Sequence, residues 1–337
     1  MAGKSLGKIL IIQTAFLGDV ILATGVIEKI HTHFPESKID FLLRKGNESL
    51  FNNHPIINEV FVLDKKKKYS HLLKLIKDIR ARGYDLVVNV QRHFTTGLIT
   101  ALSGSDLTVG FKSNPMSFAF NNKIQHDFKG YHEIERNHKL IEWFTDDLPS
   151  RPRLYPGKEN FEKIKSFVNK GKYICIAPAS IWFTKQFPPE RWIELISKLP
   201  ERFRIYLLGS KSDYKLCEGI QNQLEKKDIV NLSGKLDLLD SAALMQKAVI
   251  NLVNDSAPMH IASAMNASTC VIYCSTIPQF GYGPLSDNSL ILEVTEGMTC
   301  RPCGLHGRTN CPEKHFNCAY QIDLQPLFTY IDNTSLI

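Results

Sequence analysis

Four places along the chain gather carboxylates, hydroxyls, an ammonium group or thiols at spacings that can do chemistry. The first is Leu17-Gly18-Asp19-Val20, where an apolar run gives way to a helical pattern. Gly18 permits a tight turn and the close approach of a ligand. Asp19 reads equally well as a helix N-cap or as a general base at the mouth of a cleft. The second is Ala177-Pro178-Ala179-Ser180 followed by Lys185. A hydroxyl and an ammonium near a helix N-terminus suit a diphosphate, whose charge needs fixed donors; an ordinary surface loop is the plainer alternative. The third, Val253-Asn254-Asp255-Ser256-Ala257-Pro258-Met259-His260, is the most specific. Its proline opens a helix, so backbone N–H groups and Asp255 fall at a strand's carboxyl end, and such a turn can hold sugar hydroxyls and phosphate together. Helix capping accounts for Asp255 or Ser256 singly, but not for the whole run.

The fourth place is Cys300-x2-Cys303-x7-Cys311-x6-Cys318, with His306 and His315 interleaved. One close pair suits tetrahedral zinc, but the second half lacks its match. Reduced cysteines in a folded loop are therefore the leading expectation, and a structural zinc the alternative. Cys175, Cys217, Cys270 and Cys274 sit in apolar or helical contexts and read as reduced core residues. No G-x-G-x-x-G follows the first strand, and neither a P-loop nor a G-x-S-x-G elbow is present, which removes the main support for dinucleotide oxidoreductases, P-loop enzymes and serine hydrolases.

Placing these groups requires alternating strands and helices. Apolar runs at 8–13, 38–43, 59–63 and 85–90 read as strands, and helical spacing recurs over 19–33 and 69–82. A polar stretch at 146–158, carrying Pro149, Pro152 and Pro156, is the candidate linker. The pattern restarts beyond it, with strands at 173–177, 203–208, 229–232, 249–253 and 269–273 and helices at 189–199, 211–226, 239–248 and 258–265. Strands alternating with helices imply parallel sheets with right-handed crossovers. Two α/β domains, 1–155 and 156–337, are expected to face across a cleft at the carboxyl ends of their strands.

At 337 residues the chain exceeds the usual size of one hydrophobic core, and its 43% hydrophobic composition is that of a globular protein. No stretch approaches the roughly 18 apolar residues of a membrane span, and a cytoplasmic location is expected. The net charge of +7 suits an anionic partner: a phosphorylated lipid, a membrane surface or a nucleotide. The run Lys65-Lys66-Lys67-Lys68 reads as a solvated loop. No basic helix or aromatic-basic stripe points to nucleic acid.

At these residues the sequence resembles the heptosyltransferases of glycosyltransferase family 9, which build the inner core of lipopolysaccharide. The resemblance runs in order through Lys8-Ile-Leu-Ile-Ile…Leu17-Gly-Asp-Val-Ile-Leu-Ala-Thr24, Tyr84-Asp-Leu-Val-Val-Asn-Val-Gln91, Val109-Gly-Phe111 and His132-x-x-Glu135-Arg136. It continues through Pro178-Ala-Ser-Ile-Trp-Phe-Thr-Lys185, Asn231-Leu-Ser-Gly234 and Asn254-Asp-Ser-Ala-Pro-Met-His260. It implies a GT-B fold of two Rossmann-like domains, an ADP-activated heptose donor, inversion at the anomeric carbon and no required catalytic cation. By the same resemblance Asp19 is the general base, working without an extreme pKa shift. Ser180 and Lys185 contact phosphate, Asp213 holds the ribose, and Asp255, Ser256 and His260 cradle diphosphate and sugar. The implied partners are the nucleotide-sugar donor and a lipopolysaccharide core acceptor, with peripheral association at the inner face of the inner membrane. Arg92 and Lys112 are the basic candidates for the anionic acceptor. The chain departs from the pattern at Ala179, at Gln186-Phe187 and at Ala257, which stands where a glycine is usual. Two alternatives stay open: a same-fold transferase with another nucleotide sugar or acceptor, and a non-catalytic, zinc-stabilised binding protein.

Overall fold

Two six-stranded sheets, every pairing parallel, organise the computed structural model. It describes residues 6–334 except 65–69, 129, 225–226 and 296, so the lysine run 65–68 lies outside the described residues. The chain divides into two units, Met1–Tyr155 and Pro156–Ile337.

The first unit contains β1 (Lys8–Ile12), α1 (Leu17–His33), β2 (Lys38–Arg44), β3 (Ile57–Leu63), α2 (Ser70–Arg82), β4 (Leu86–Asn89), α3 (Phe94–Leu102), β5 (Leu107–Phe111), β6 (Asn122–Ile124) and α4 (Glu133–His138). Its strand order is β3-β2-β1-β4-β5-β6. The second contains α5 (Lys158–Val168), β7 (Tyr173–Ala177), α6 (Pro189–Lys198), β8 (Arg204–Leu207), α7 (Tyr214–Asn222), β9 (Ile229–Asn231), α8 (Leu238–Lys247), β10 (Ile250–Asn254), α9 (Ala257–Ala264), β11 (Thr269–Tyr273), β12 (Ser289–Glu293), α10 (Asn317–Tyr320) and α11 (Gln325–Thr334). Its order is β12-β11-β10-β7-β8-β9. Each sheet is thus wound outward from its first strand, then restarted on that strand's other side. The winding reverses between β1 and β4 in one unit and between β7 and β10 in the other. Such reversal points open a crevice at the strands' carboxyl ends.

The central strands are mostly apolar because helices cover both faces. β4, β7, β10 and β11 are buried at every residue. Leu10, Ile12, Leu42 and Val87 pack with Ile79 of α2 and Ile99 of α3. In the second unit Ile174, Ile176, Leu252 and Ile272 pack with Trp192, Leu195 and Ile196, which share one face of α6. The helix expected over 211–226 is broken. Ser210 donates its N–H and hydroxyl to Asp213 Oδ2, each at 2.7 Å, which tightens 211–213 into a 3-10 turn before α7 begins. Among the described residues no helix is long and apolar enough to cross a membrane.

A close backbone crossing in the first unit yields a stability prediction. A Cβ on Gly25 of α1 would stand 2.5 Å from the carbonyl oxygen of Ser150, and Thr24 Oγ1 accepts the Arg153 N–H at 2.9 Å. Alanine improves helix propensity by about 1 kcal/mol, but overpacking against backbone costs about 1–3 kcal/mol. Gly25→Ala is therefore expected to lower the thermal midpoint; an unchanged or raised midpoint in calorimetry contradicts the crossing.

Candidate functional site

Asp19 sits where the first sheet reverses its winding. Helix α1 begins at Leu17 with Phe16 as N-cap, so Asp19 is the third helical residue and not the cap. Gly18, expected to form a tight turn, lies inside that first helical turn. The half-buried Asp19 carboxylate accepts hydrogen bonds from the backbone of Phe16 and of Asp19 itself, and an acid in the first turn also complements the helix dipole. Burial nevertheless dominates: with a smaller push from the Glu133 carboxylate it lifts the Asp19 pKa to about 6, against the backbone bonds and Arg92, which pull it down. That is a larger shift than the sequence reading required, and it leaves the group poised near neutrality.

Sequence reasoning did not single out Glu133. It is buried at the start of α4, paired with Arg136, whose Nε and Nη2 each lie 2.7 Å from its Oε2. Arg136 Nη1 also donates to the Tyr131 carbonyl at 2.6 Å. The signal was present, since Glu133 lies inside the 132–136 segment, but it is an ordinary helix-start acid until α4 packs on α1. Arg92 is exposed, its guanidinium 4.9 Å from the centre of the Phe128 ring. Lys112 is exposed at the end of β5, its backbone N–H donating to the Ile124 carbonyl at 2.8 Å. The loops after β1 and β4 are tied by Gln91 Nε2, which donates to Gln13 Oε1.

In the second unit the reversal point gathers three of the sequence candidates. Lys185 Nζ stands 2.7 Å from Asp255 Oδ2, and both side chains are largely buried. Thr276 donates its hydroxyl to the same carboxylate oxygen at 2.6 Å. Ser256 is the N-cap of α9 and makes no side-chain cap bond, so the helix presents its positive end beside that pair. An ammonium carries three N–H donors; one bond to Asp255 aims Lys185 without exhausting it. Asn254, fully buried, fastens the two loops together. Its Oδ1 accepts the Phe187 N–H at 3.0 Å and its Nδ2 donates to the Pro178 carbonyl at 2.8 Å.

The remaining donor candidates are placed as follows. Ser180 is half-buried on the loop leading to Lys185, its carbonyl accepting from Gln186 Nε2 at 2.6 Å. His260 is buried one turn into α9. Asp213 follows β8, one strand outward from β7, and its Oδ2 serves the Ser210 capping box. Such a box explains an aspartate there without a ligand.

All eight cysteines are free thiols. Cys300, Cys303, Cys311 and Cys318 line one pocket, with Arg308 and His315 among their neighbours. Burial, reinforced by the neighbouring thiols, raises the Cys303 pKa and pushes Cys318 up to about 12, so both are protonated at neutral pH. Among the described residues no group of three or more histidine, cysteine, aspartate or glutamate side chains is placed to hold a metal ion. These four thiols share one pocket, and the zinc alternative remains as the sequence left it. The same loop grips the chain that follows β11, next to Asp255. Arg301 Nε donates to the Cys274 carbonyl at 2.8 Å, and its Nη2 to the Thr276 carbonyl at 2.7 Å and to Glu293 at 2.6 Å.

Comparison with known proteins gives one consistent picture. Residues 72–309 match the family model for glycosyltransferase family 9 (heptosyltransferase). Lipopolysaccharide heptosyltransferase 3 of Escherichia coli K12 is 26% identical over 288 residues, 80% of this chain and 83% of that protein. Among solved structures, Escherichia coli ADP-heptose lipopolysaccharide heptosyltransferase II superposes with a TM-score of 0.81 at 20% identity, covering 98% of each chain. An Escherichia coli heptosyltransferase solved with ADP gives a TM-score of 0.71 at 18% identity, covering 98% of this chain and 100% of that one. These structures share the α/β, GT-B class fold of two Rossmann-like domains expected from the sequence.

Proposed function

Because the chain belongs to glycosyltransferase family 9, the heptosyltransferases, we propose that it moves a heptose from an ADP-activated donor to the lipopolysaccharide inner core, inverting the anomeric carbon. The observation that carries this reading is the position of the chemistry. A carboxylate poised near pH 6 stands at one sheet's reversal point, and a buried Lys185–Asp255 pair beside a helix N-terminus stands at the other's.

In this reading the 1–155 unit serves the acceptor and the 156–337 unit the donor. Asp19 takes the proton of an acceptor hydroxyl while that oxygen bonds to the anomeric carbon. The bond from that carbon to the diphosphate oxygen breaks, and ADP departs with the electron pair. Lys185 and the backbone N–H groups at the start of α9 offset the charge that grows on the leaving diphosphate. Asp255 aims Lys185, and Ser180, Asp213 and His260 supply further polar contacts to phosphate, ribose and sugar. Arg92 and Lys112 offer positive charge to an anionic acceptor. No step needs a metal ion. The setting is the cytoplasm, with peripheral attachment to the inner membrane face. That the named relatives act on lipopolysaccharide supports the acceptor class, and the relative solved with ADP supports the nucleotide.

The test is nucleotide choice followed by turnover. ADP at 100 times its Kd is expected to stabilise the protein by about 2.7 kcal/mol, with UDP and GDP at equal concentration giving less than half that effect in a thermal-shift assay. ADP-heptose with truncated lipopolysaccharide acceptors should then yield product. Preference for UDP or GDP would favour a same-fold transferase with a different donor. Binding of ADP without turnover on any acceptor would favour a non-catalytic protein of this fold.

A further inference from the structure

The cysteine-rich segment is joined to the loop that carries Lys185 by the buried side chain of Thr184, next to a stacked pair of the Phe183 and Phe316 rings with centroids 5.3 Å apart. The Thr184 backbone N–H donates to the Arg308 carbonyl at 3.1 Å, and its own carbonyl accepts the Ser275 N–H at 3.2 Å. Its hydroxyl oxygen accepts the Arg308 N–H at 2.7 Å and the Ser275 hydroxyl at 2.9 Å. Ser275 is itself held by the segment, because its carbonyl accepts the Cys303 N–H at 2.9 Å. Thr184 and Ser275 are 1% and 0% exposed, so neither can exchange these partners for water.

The neighbouring contact bears directly on Lys185. A Cβ built on Gly307, whose φ is +76°, would meet Lys185 Cγ at 2.9 Å and Thr184 Oγ1 at 3.1 Å. The backbone of the cysteine-rich segment therefore lies flat against the stem of the Lys185 side chain. On the opposite side, Asp255 holds the ammonium end and Thr276 holds Asp255. Arg301 closes the circuit by bonding the carbonyls of Cys274 and Thr276. The lysine is fixed at stem and tip by the same segment, once directly and once through β11's carboxyl end.

We infer that Thr184 is a positioning residue for the donor diphosphate, its hydroxyl locking the cysteine-rich segment onto the Lys185 loop so that the ammonium is held where phosphate charge develops. The inference rests on the donor reading above and adds to it that the segment 300–318, outside the strand-and-helix frame, is part of the donor site. A flexible lysine loses rotamer freedom when it binds phosphate, and a clamp that restricts it beforehand improves affinity by reducing that loss.

The test compares Thr184→Val with Thr184→Ser in the full-length protein. Valine keeps the shape but removes the acceptor of the Arg308 N–H and of the buried Ser275 hydroxyl, whereas serine keeps that oxygen. Thr184→Val is expected to raise the ADP Kd and the donor KM by up to about tenfold, the cost of ordering one rotamer-rich side chain on binding once its clamp is loosened, with kcat within about twofold of wild type. Thr184→Ser should restore wild-type values. Where Thr184→Val does not fold, Ser275→Ala removes one bond to the same hydroxyl, and a two- to threefold weaker ADP affinity is expected. An unchanged ADP Kd in Thr184→Val with a lowered thermal midpoint would make the threonine purely structural and overturn the inference. An unchanged Kd in Ser275→Ala does the same when it is the variant measured. Wild-type protein that binds no ADP would instead remove the donor reading, and the clamp with it.

Discussion

Asp19→Asn lowers turnover by about 10²–10⁴, the typical contribution of a general base, while ADP affinity stays within about twofold of wild type. Asparagine keeps the shape of the first helical turn but cannot take the proton of an attacking hydroxyl. The pH dependence gives the assignment a second arm. In the wild type the Asp19 carboxylate loses its proton near pH 6, so kcat/KM rises with pH through that value and levels above it; the limb disappears in the variant. Stability runs the other way, as the sign shows. Between the ordinary aspartate value of 3.8 and about 6 the folded protein holds a proton that the unfolded chain has released. Stability from this group is therefore present at low pH and lost as pH rises through that window. Above it the folded state bears the whole cost of a desolvated charge. Asp19→Asn is expected to unfold at a higher temperature than wild type at pH 7.5, the trade expected of a site strained for activity. A variant with wild-type turnover, or one with an unmoved acid limb, removes Asp19 from the reaction.

Lys185→Ala is expected to weaken ADP and donor binding by one to two orders of magnitude, from the loss of a charge-assisted hydrogen bond worth about 1.5–3 kcal/mol. It should also destabilise the protein. The Asp255 side chain is only 8% exposed, and breaking a buried ion pair from one side costs about 3–5 kcal/mol because the survivor is left uncompensated. The two effects are separable by a cycle. Adding Asp255→Asn to Lys185→Ala removes the stranded charge and should recover much of the stability, yet none of the ADP affinity. Equilibrium denaturation and calorimetric titration on the two single variants and the double variant measure both quantities. Recovery of ADP binding in the double variant would show that the lysine serves only to neutralise Asp255, and the phosphate role would fail.

Much of this protein was legible before any tertiary contact was known, and the reason is local. A strand covered by helices on both faces must be largely apolar, so β1 from Ile9 on and β7 stood out as unbroken runs, and β10 and β11 as nearly continuous ones. The turn that follows such a strand is where chemistry collects in a parallel sheet, which is why Asp19, Lys185, Asp255 and Ser256 could be picked by type and place. Elements without that signature stayed hidden. β6 is three residues long and α4 six, too short for any period to register, while α3 carries threonines and a glycine along an apolar helix.

What the residue order could not supply was partnership across distance. Whether Asp19 capped a helix depended on where α1 began, and its acidity depended first on burial and then on Glu133, over a hundred positions away, being carried to it on α4. The pairing of Lys185 with Asp255 needed β7 and β10 to become neighbours at the reversal of the sheet. Cysteine spacing alone left metal and packing both open, since spacing counts residues and says nothing about where sulfurs point. Only folding revealed that this segment reaches Thr184 and the stem of Lys185. Burial and charge coupling act through space, and a linear order does not contain those separations until the chain has closed on itself.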